Sequence, residues 1–197
     1  MGQVKHTLLA RVIHWCFIPL YAYGIFKQLD DLSQLEDTGL LIFEVVFASI
    51  FLLIVLMRLF YMKRFKVFMG ANVPVHRVHK FFAKSVHISL YACLILLPLT
   101  GLIIAALFKQ GITDGPMQNI ALELHEFSAA LSYVLIVTHI SAAIYSRIKG
   151  EGVWSSMVPV LNDEKPTENK IINQIAEIEN EIYVQVEKLL TRNKDSD

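Results

Sequence analysis

The sequence predicts an all-α integral membrane protein, a four-helix transmembrane bundle with a cytoplasmic C-terminal amphipathic helix. Three observations predict it. Of 197 residues, 54% are hydrophobic and only 18% charged, with a mean hydropathy of +0.48. The apolar residues lie in blocks, four of which approach the roughly 20 residues needed to cross a bilayer core. The connections between the blocks also differ in charge, although Lys and Arg balance Asp and Glu to a net charge of zero. That balance argues against a nucleic-acid binder.

The first block, residues 8–26, contains His14 and Pro19 and has no small-residue cleavage pattern, so it reads as a retained helix and not as a cleaved signal. The second, third and fourth are residues 40–61, 83–108 and 120–144. Residues 27–39 are acidic, with Asp30, Asp31, Glu36 and Asp37, and residues 109–119 carry Gly and Pro turn signals with one lysine. The connection 61–82 holds Lys63, Arg64, Lys66, Arg77 and Lys80, and Arg147 and Lys149 follow the last span. Positive charge stays on the cytoplasmic side, so both termini and the middle loop are expected there. Pro98 and Gly101 predict a kink in the third span, because proline removes a backbone donor. Cys16 and Cys93, both inside apolar runs, read as small buried fillers.

Residues 1–160 form the expected membrane domain and 161–197 a cytoplasmic tail. In the tail, Ile171, Ile175, Ile178, Ile182, Val186 and Leu189 recur at helical spacing on an otherwise charged segment. Such a stripe suits a helix lying on the membrane or on the chain's own loops. It also suits one that binds a redox partner protein or a second copy of the chain.

Histidine at membrane depth is costly unless something satisfies it. His14 lies about six residues into the first span from its cytoplasmic end, and His139 about six before that end of the fourth. At ~1.5 Å per residue both sit on the order of 9 Å inside one surface. Two imidazoles at one level are what a haem iron with two axial histidines requires. His125 stands fourteen residues before His139, about 21 Å away, and Glu44 occupies the matching depth on the second span. These two fit a hydrogen-bonded or proton-handling pair, an altered haem site, or a site for a divalent metal. His87, one turn inside the third span, fits an interhelical hydrogen bond or a contact to a quinone or a haem propionate. His76 and His79 lie in the basic loop and His6 near the terminus, where solvation is expected.

The motifs resemble those of the bacterial cytochrome b561 family, related to the cytochrome b subunits of Ni,Fe-hydrogenases. They are Arg11-Val12-Ile13-His14-Trp15, Arg58 at the inner end of the second span, and Leu97-Pro98-Leu99-Thr100-Gly101-Leu102. They continue with Leu124-His125-Glu126, Thr138-His139 and Trp154-Ser155-Ser156-Met157-Val158-Pro159, and the likeness runs from about Lys5 to Pro159. The resemblance implies a membrane-bound b-type cytochrome of the bacterial inner membrane that transfers single electrons to or from the quinone pool. It implies haem b ligated by His14 and His139, with Arg11, Arg58 and Lys84 toward the propionates and His87 toward haem or quinone. The family's outer haem uses a second-span histidine together with the histidine matching His125. Here Glu44 takes that position, so the iron ligand His125 would lack its partner imidazole within one chain. A one-haem protein, a five-coordinate outer haem or a ligand from a partner would follow. Two other readings stand beside this one: the membrane anchor subunit of a larger oxidoreductase, and a non-redox membrane protein using His125 and Glu44 for protons or metal.

Overall fold

A computed structural model describes residues 8–29, 31–65, 77–151, 153–158 and 165–192. His6, Asp30, Lys66, His76 and Pro159 lie outside the described residues. Among those described there is no strand, and six α-helices follow one another: α1 (Leu8–Phe26), α2 (Thr38–Phe65), α3 (Arg77–Lys109), α4 (Pro116–Lys149), α5 (Val153–Met157) and α6 (Lys170–Arg192). A 3-10 turn, Leu32–Glu36, precedes α2.

The first four helices are long and apolar enough to cross a membrane. At ~1.5 Å per residue α1 covers about 28 Å, α2 about 42 Å, and α3 and α4 about 50 Å each. The hydrocarbon core is about 30 Å thick. The three longer helices therefore overrun the predicted apolar spans at their polar flanks. Local chemistry sets their ends. Asp37 caps α2, its carboxylate accepting from the Gly39 and Leu40 amides at 2.7 and 3.3 Å. At the end of α3, Gly111 takes φ +78°, and the Gly111 and Ile112 amides reach back to the Phe108 and Leu107 carbonyls. Gly150, at φ +73°, closes α4 in the same way through the Arg147 and Ser146 carbonyls. Pro116 opens α4 at the one position where a missing amide hydrogen costs nothing. Pro98 is buried, and α3 runs through it as one continuous helix.

The chain divides into two compact units. One holds α1, the 3-10 turn, α2, α3 from Ser89 and α4 to Ile136. Inside it the rings of Phe17, Tyr21 and Phe51 cluster: Phe17 stacks on Tyr21 at 6.1 Å and meets Phe51 at a tilt, 5.0 Å away. Ser128 and Ser132 are wholly buried. The Ser132 hydroxyl donates to the Ala129 carbonyl and accepts from Tyr21 at 2.6 Å. Leu35 of the 3-10 turn joins Ile104, Leu107 and Ala121 in an apolar cluster. The outward residues of α2 between its polar ends are mostly apolar, including Ile42, Val46, Ile50, Leu53, Met57 and Phe60, with Ser49 as an exposed hydroxyl among them. Hydroxyls inside and hydrocarbon outside is the arrangement lipid favours, because only buried polar groups can find partners there. Cys93 is buried as expected, but Cys16 lies on the exposed face of α1 among this hydrocarbon.

The other unit holds α3 to Ile88, α4 from Val137, α5 and α6. Arg147 lies over the Trp154 ring at 5.6 Å, which seats α5 against the end of α4. The tail helix α6 docks in this unit mainly by a flank beside the stripe the periodicity singled out; of that stripe Val186 alone is half-buried. Ile172, Ala176, Glu179, Tyr183 and Glu187 are half-buried, while Ile171, Ile175, Ile178, Ile182 and Leu189 are exposed. Polar contacts hold the docked flank. Glu179 accepts from Tyr145 and Lys149 at 2.9 and 3.0 Å, and Glu187 accepts from the Arg77 amide at 2.6 Å.

Candidate functional site

In the unit built on α1 and α2, a lone carboxylate at depth governs one cluster. Glu44 is one-fifth exposed and forms an ion pair with Lys27, the first residue beyond α1. The Lys27 stem returns along the membrane face so that its ammonium also lies 4.6 Å from the Phe47 ring and 5.6 Å from that of Phe43. A long cationic side chain can bury its methylenes while its head finds an anion. The pair neutralises a charge that would otherwise be prohibitively expensive there.

His125 is half-buried on α4, and its Nδ1 lies 3.0 Å from the Thr100 hydroxyl of α3. Thr100 also lies 2.8 Å from the Leu96 carbonyl and 3.0 Å from that of Leu97. A hydroxyl has one proton. Given to either carbonyl, it leaves the Thr100 oxygen to accept from Nδ1–H, so the lone pair of His125 resides on Nε2. Gly101 borders the same ring; a methyl group there would stand 3.5 Å from the imidazole Cε1, an ordinary contact. Glu44 thus pairs with Lys27 and His125 with Thr100. Of the readings open for these two residues, the direct hydrogen-bonded Glu44–His125 pair is not the one that forms, because a full cation competes better for the carboxylate than a neutral imidazole.

Two arginines of the same unit carry unused donors. Arg58 donates from Nε to the Tyr91 hydroxyl at 3.0 Å, yet its buried Nη1 has no partner. The buried Nε of Arg11 likewise has none. A guanidinium nitrogen left without an acceptor is costly, and it fits a carboxylate ligand. His14 is half-buried on the next turn of α1 from Arg11, its ring edge-on to Trp15 at 6.3 Å.

In the second unit, His87 and His139 meet. Their rings cross at 83° with centroids 5.0 Å apart. His87 Nδ1 lies 2.6 Å from the Ala83 carbonyl of its own helix, so it carries the proton and Nε2 has the lone pair. Lys84 is exposed.

The described residues contain no group of three or more His, Cys, Asp or Glu side chains arranged to hold a metal ion. Sequence reasoning missed Lys27, which it counted with an acidic connection, and the hydroxyls of Thr100 and Tyr91 that hold His125 and Arg58. The signal for Lys27 was present: it is the sole cation among residues 27–39 and stands beside a span whose neighbour holds an unpaired carboxylate. Comparison with known families gives a match over residues 5–160 to the family described as prokaryotic cytochrome b561. No curated protein and no solved structure matches the chain.

Proposed function

Because the chain belongs to the prokaryotic cytochrome b561 family, a family of membrane b-type cytochromes in electron transfer, we propose that it is a one-haem protein with His14 and His139 as axial ligands. Electrons then exchange with the quinone pool of a bacterial inner membrane. Residues 1–160 serve as the haem domain, and both termini are cytoplasmic. The observation that carries this reading is the pair of buried, unpartnered guanidinium donors on Arg11 and Arg58. Their chemistry fits the two propionates that haem b brings.

The residues fit the group in their donor set as well. His14 and His139, which the sequence expects at one depth, would supply two nitrogen ligands of the kind low-spin haem takes. When bound, haem would supply reversible one-electron chemistry at its iron. Arg11 and Arg58 would neutralise the propionate charge inside a medium of low dielectric, which favours the more negative, reduced state. Tyr91 orients Arg58 through its hydroxyl. His87, edge-on to His139, restricts the rotation of that imidazole and offers Nε2 as a proton carrier, which quinone reduction requires.

The limit of one haem rests on the Lys27–Glu44 pair. An ammonium has no lone pair for iron, and a carboxylate already paired with it would be a poor iron ligand to complement His125.

The test is a reduced-minus-oxidised absorption spectrum with pyridine haemochrome stoichiometry on the purified chain. One haem b per chain is expected, lost in His14→Ala and in His139→Ala and retained in His125→Ala. Absence of a Soret band, two haems per chain, or an unchanged low-spin spectrum in either ligand variant overturns the assignment.

A further inference from the structure

Helix α6 divides into three sectors when its residues are laid out at about 100° each. Ile171, Ile175, Ile178, Ile182 and Leu189 fall within about 60° of one another, and their side chains are 49–66% exposed. The docked flank, from Ile172 through Glu179 and Tyr183 to Glu187, is centred about 110° to one side. Lys170, Glu177, Glu181 and Lys188 occupy about 40° on the other side and are exposed. A helix standing free in water, or wrapped by its own loops, has no reason to separate an apolar sector from the one that docks.

Such a division is required of a helix that rests on a bilayer beside the protein that anchors it. The apolar stripe faces hydrocarbon, the neighbouring flank faces the chain, and the charges face water. The stripe is also continuous with a lipid-facing surface. A groove of about 450 Å³ is lined by Val186 of α6 and by Arg77, Val78, Phe81 and Phe82 at the start of α3. Phe81 and Phe82 are 67% and 60% exposed on a helix that is itself a membrane span. Val186, at the edge of the stripe, thus joins α6 to the exposed rings of Phe81 and Phe82 across a groove that is apolar apart from Arg77.

We propose that α6 lies in the membrane interface, with its isoleucine stripe buried among lipid acyl chains next to Phe81 and Phe82. The occupant is the bilayer itself, and the mode is that of an amphipathic interfacial helix. Acidic residues outnumber basic ones over the described side chains of α6, with Glu177, Glu179, Glu181 and Glu187 against Lys170 and Lys188. Burial of apolar area, and not attraction to anionic headgroups, holds the helix, so a zwitterionic bilayer suffices. This inference is independent of haem content.

Spin labelling of the full chain in phosphatidylcholine nanodiscs tests it. In a Cys16→Ser/Cys93→Ala background, a nitroxide at Ile178→Cys is expected to relax with molecular oxygen and be shielded from a water-soluble nickel chelate. A nitroxide at Glu181→Cys should behave in the opposite way. Equal chelate access at both positions overturns the proposal, and so does dipolar broadening between labels at position 178, which would mean that a second copy covers the stripe. With both native cysteines in place, Ile175→Asp/Ile182→Asp should accelerate amide exchange in α6 at least tenfold in the same nanodiscs. Unchanged exchange would show that the stripe meets no lipid.

Discussion

A lysine and a glutamate at membrane depth must find each other or give up their charges, and the Lys27–Glu44 pair takes the first course. Removing one partner leaves the other charged and desolvated. Glu44→Leu should therefore lower stability by up to about 3 kcal/mol, read from thermal unfolding in detergent by circular dichroism. Lys27→Met combined with Glu44→Leu should recover most of that loss, since an apolar pair replaces an ion pair at little cost. A double variant as unstable as the single one would show that the two charges are not coupled. At Tyr21 the stake is smaller. Tyr21→Phe removes the 2.6 Å hydrogen bond to buried Ser132 and should cost about 1 kcal/mol in the same assay. Individual residues were legible in the sequence where the membrane makes polarity conspicuous: His14, His87, His125, His139 and Glu44 stand out in apolar runs. Their partners were not. Thr100 and Tyr91 blend into any membrane helix, and only three-dimensional packing decides which imidazole or guanidinium their hydroxyls meet.

Helix α6 shows the same division one level up. Its existence and its apolar stripe follow from isoleucines at helical spacing, but docking uses the flank beginning one residue later, at Ile172, Ala176, Glu179 and Tyr183. Periodicity reports which face is apolar. It does not report which polar groups find complementary donors on another element, and here Tyr145 and Lys149 of α4 supply them. The docking is consequently sensitive to pH. Burial by itself would raise the Glu179 carboxyl, and the hydrogen bonds from Lys149 and Tyr145 overcome it and hold the group below the usual carboxylate range. A lowered carboxyl contributes stability that is present above its ordinary value and lost as pH falls through the lowered one. Burial, followed by the Glu179 charge, pushes the Tyr183 phenol up to about 12. A raised phenol contributes stability that is complete below about 10 and lost as pH rises toward the raised value. Protease cleavage within α6 should thus be slowest between about pH 5 and pH 10 and accelerate at both ends. A flat profile would mean that these contacts do not hold the helix. The preceding turn is equally demanding. A Cβ on Gly150 would come within 2.8 Å of the Pro166 backbone nitrogen at a φ of +73°, so Gly150→Ala should cost at least about 1–2 kcal/mol and loosen α6 in the same proteolysis assay.

For the molecule as a whole, four membrane-spanning helices were legible because hydrocarbon imposes one requirement on every residue of a span: length and apolarity suffice, and no partner need be known. Helix ends were less legible, since caps such as Asp37 and Gly150 extend the helices beyond the bilayer into polar sequence whose composition resembles a loop. The proposed orientation rests on a different physical term. Lys63, Arg64, Arg77, Lys80, Arg147 and Lys149 all flank the connection between α2 and α3 or the end of α4, whereas Asp31, Glu36 and Asp37 lie between α1 and α2. Cations next to a span resist translocation far more than carboxylates do. An even number of spans places both termini on one side, and on the proposed orientation the lysines and arginines would select the cytoplasmic one. Alkaline phosphatase, active only after export, provides the measurement. Fused after Gln34 or Gly115 it should be active, and fused after Arg64 or at the C-terminus inactive. Reversing the bias, by replacing Lys63, Arg64, Arg77 and Lys80 with glutamine while adding lysines between Leu32 and Glu36, should convert part of the population to the opposite activity pattern. Activity at the C-terminal fusion of the unaltered chain would invert the assignment, and with it the side of the membrane on which His14, His139 and α6 operate.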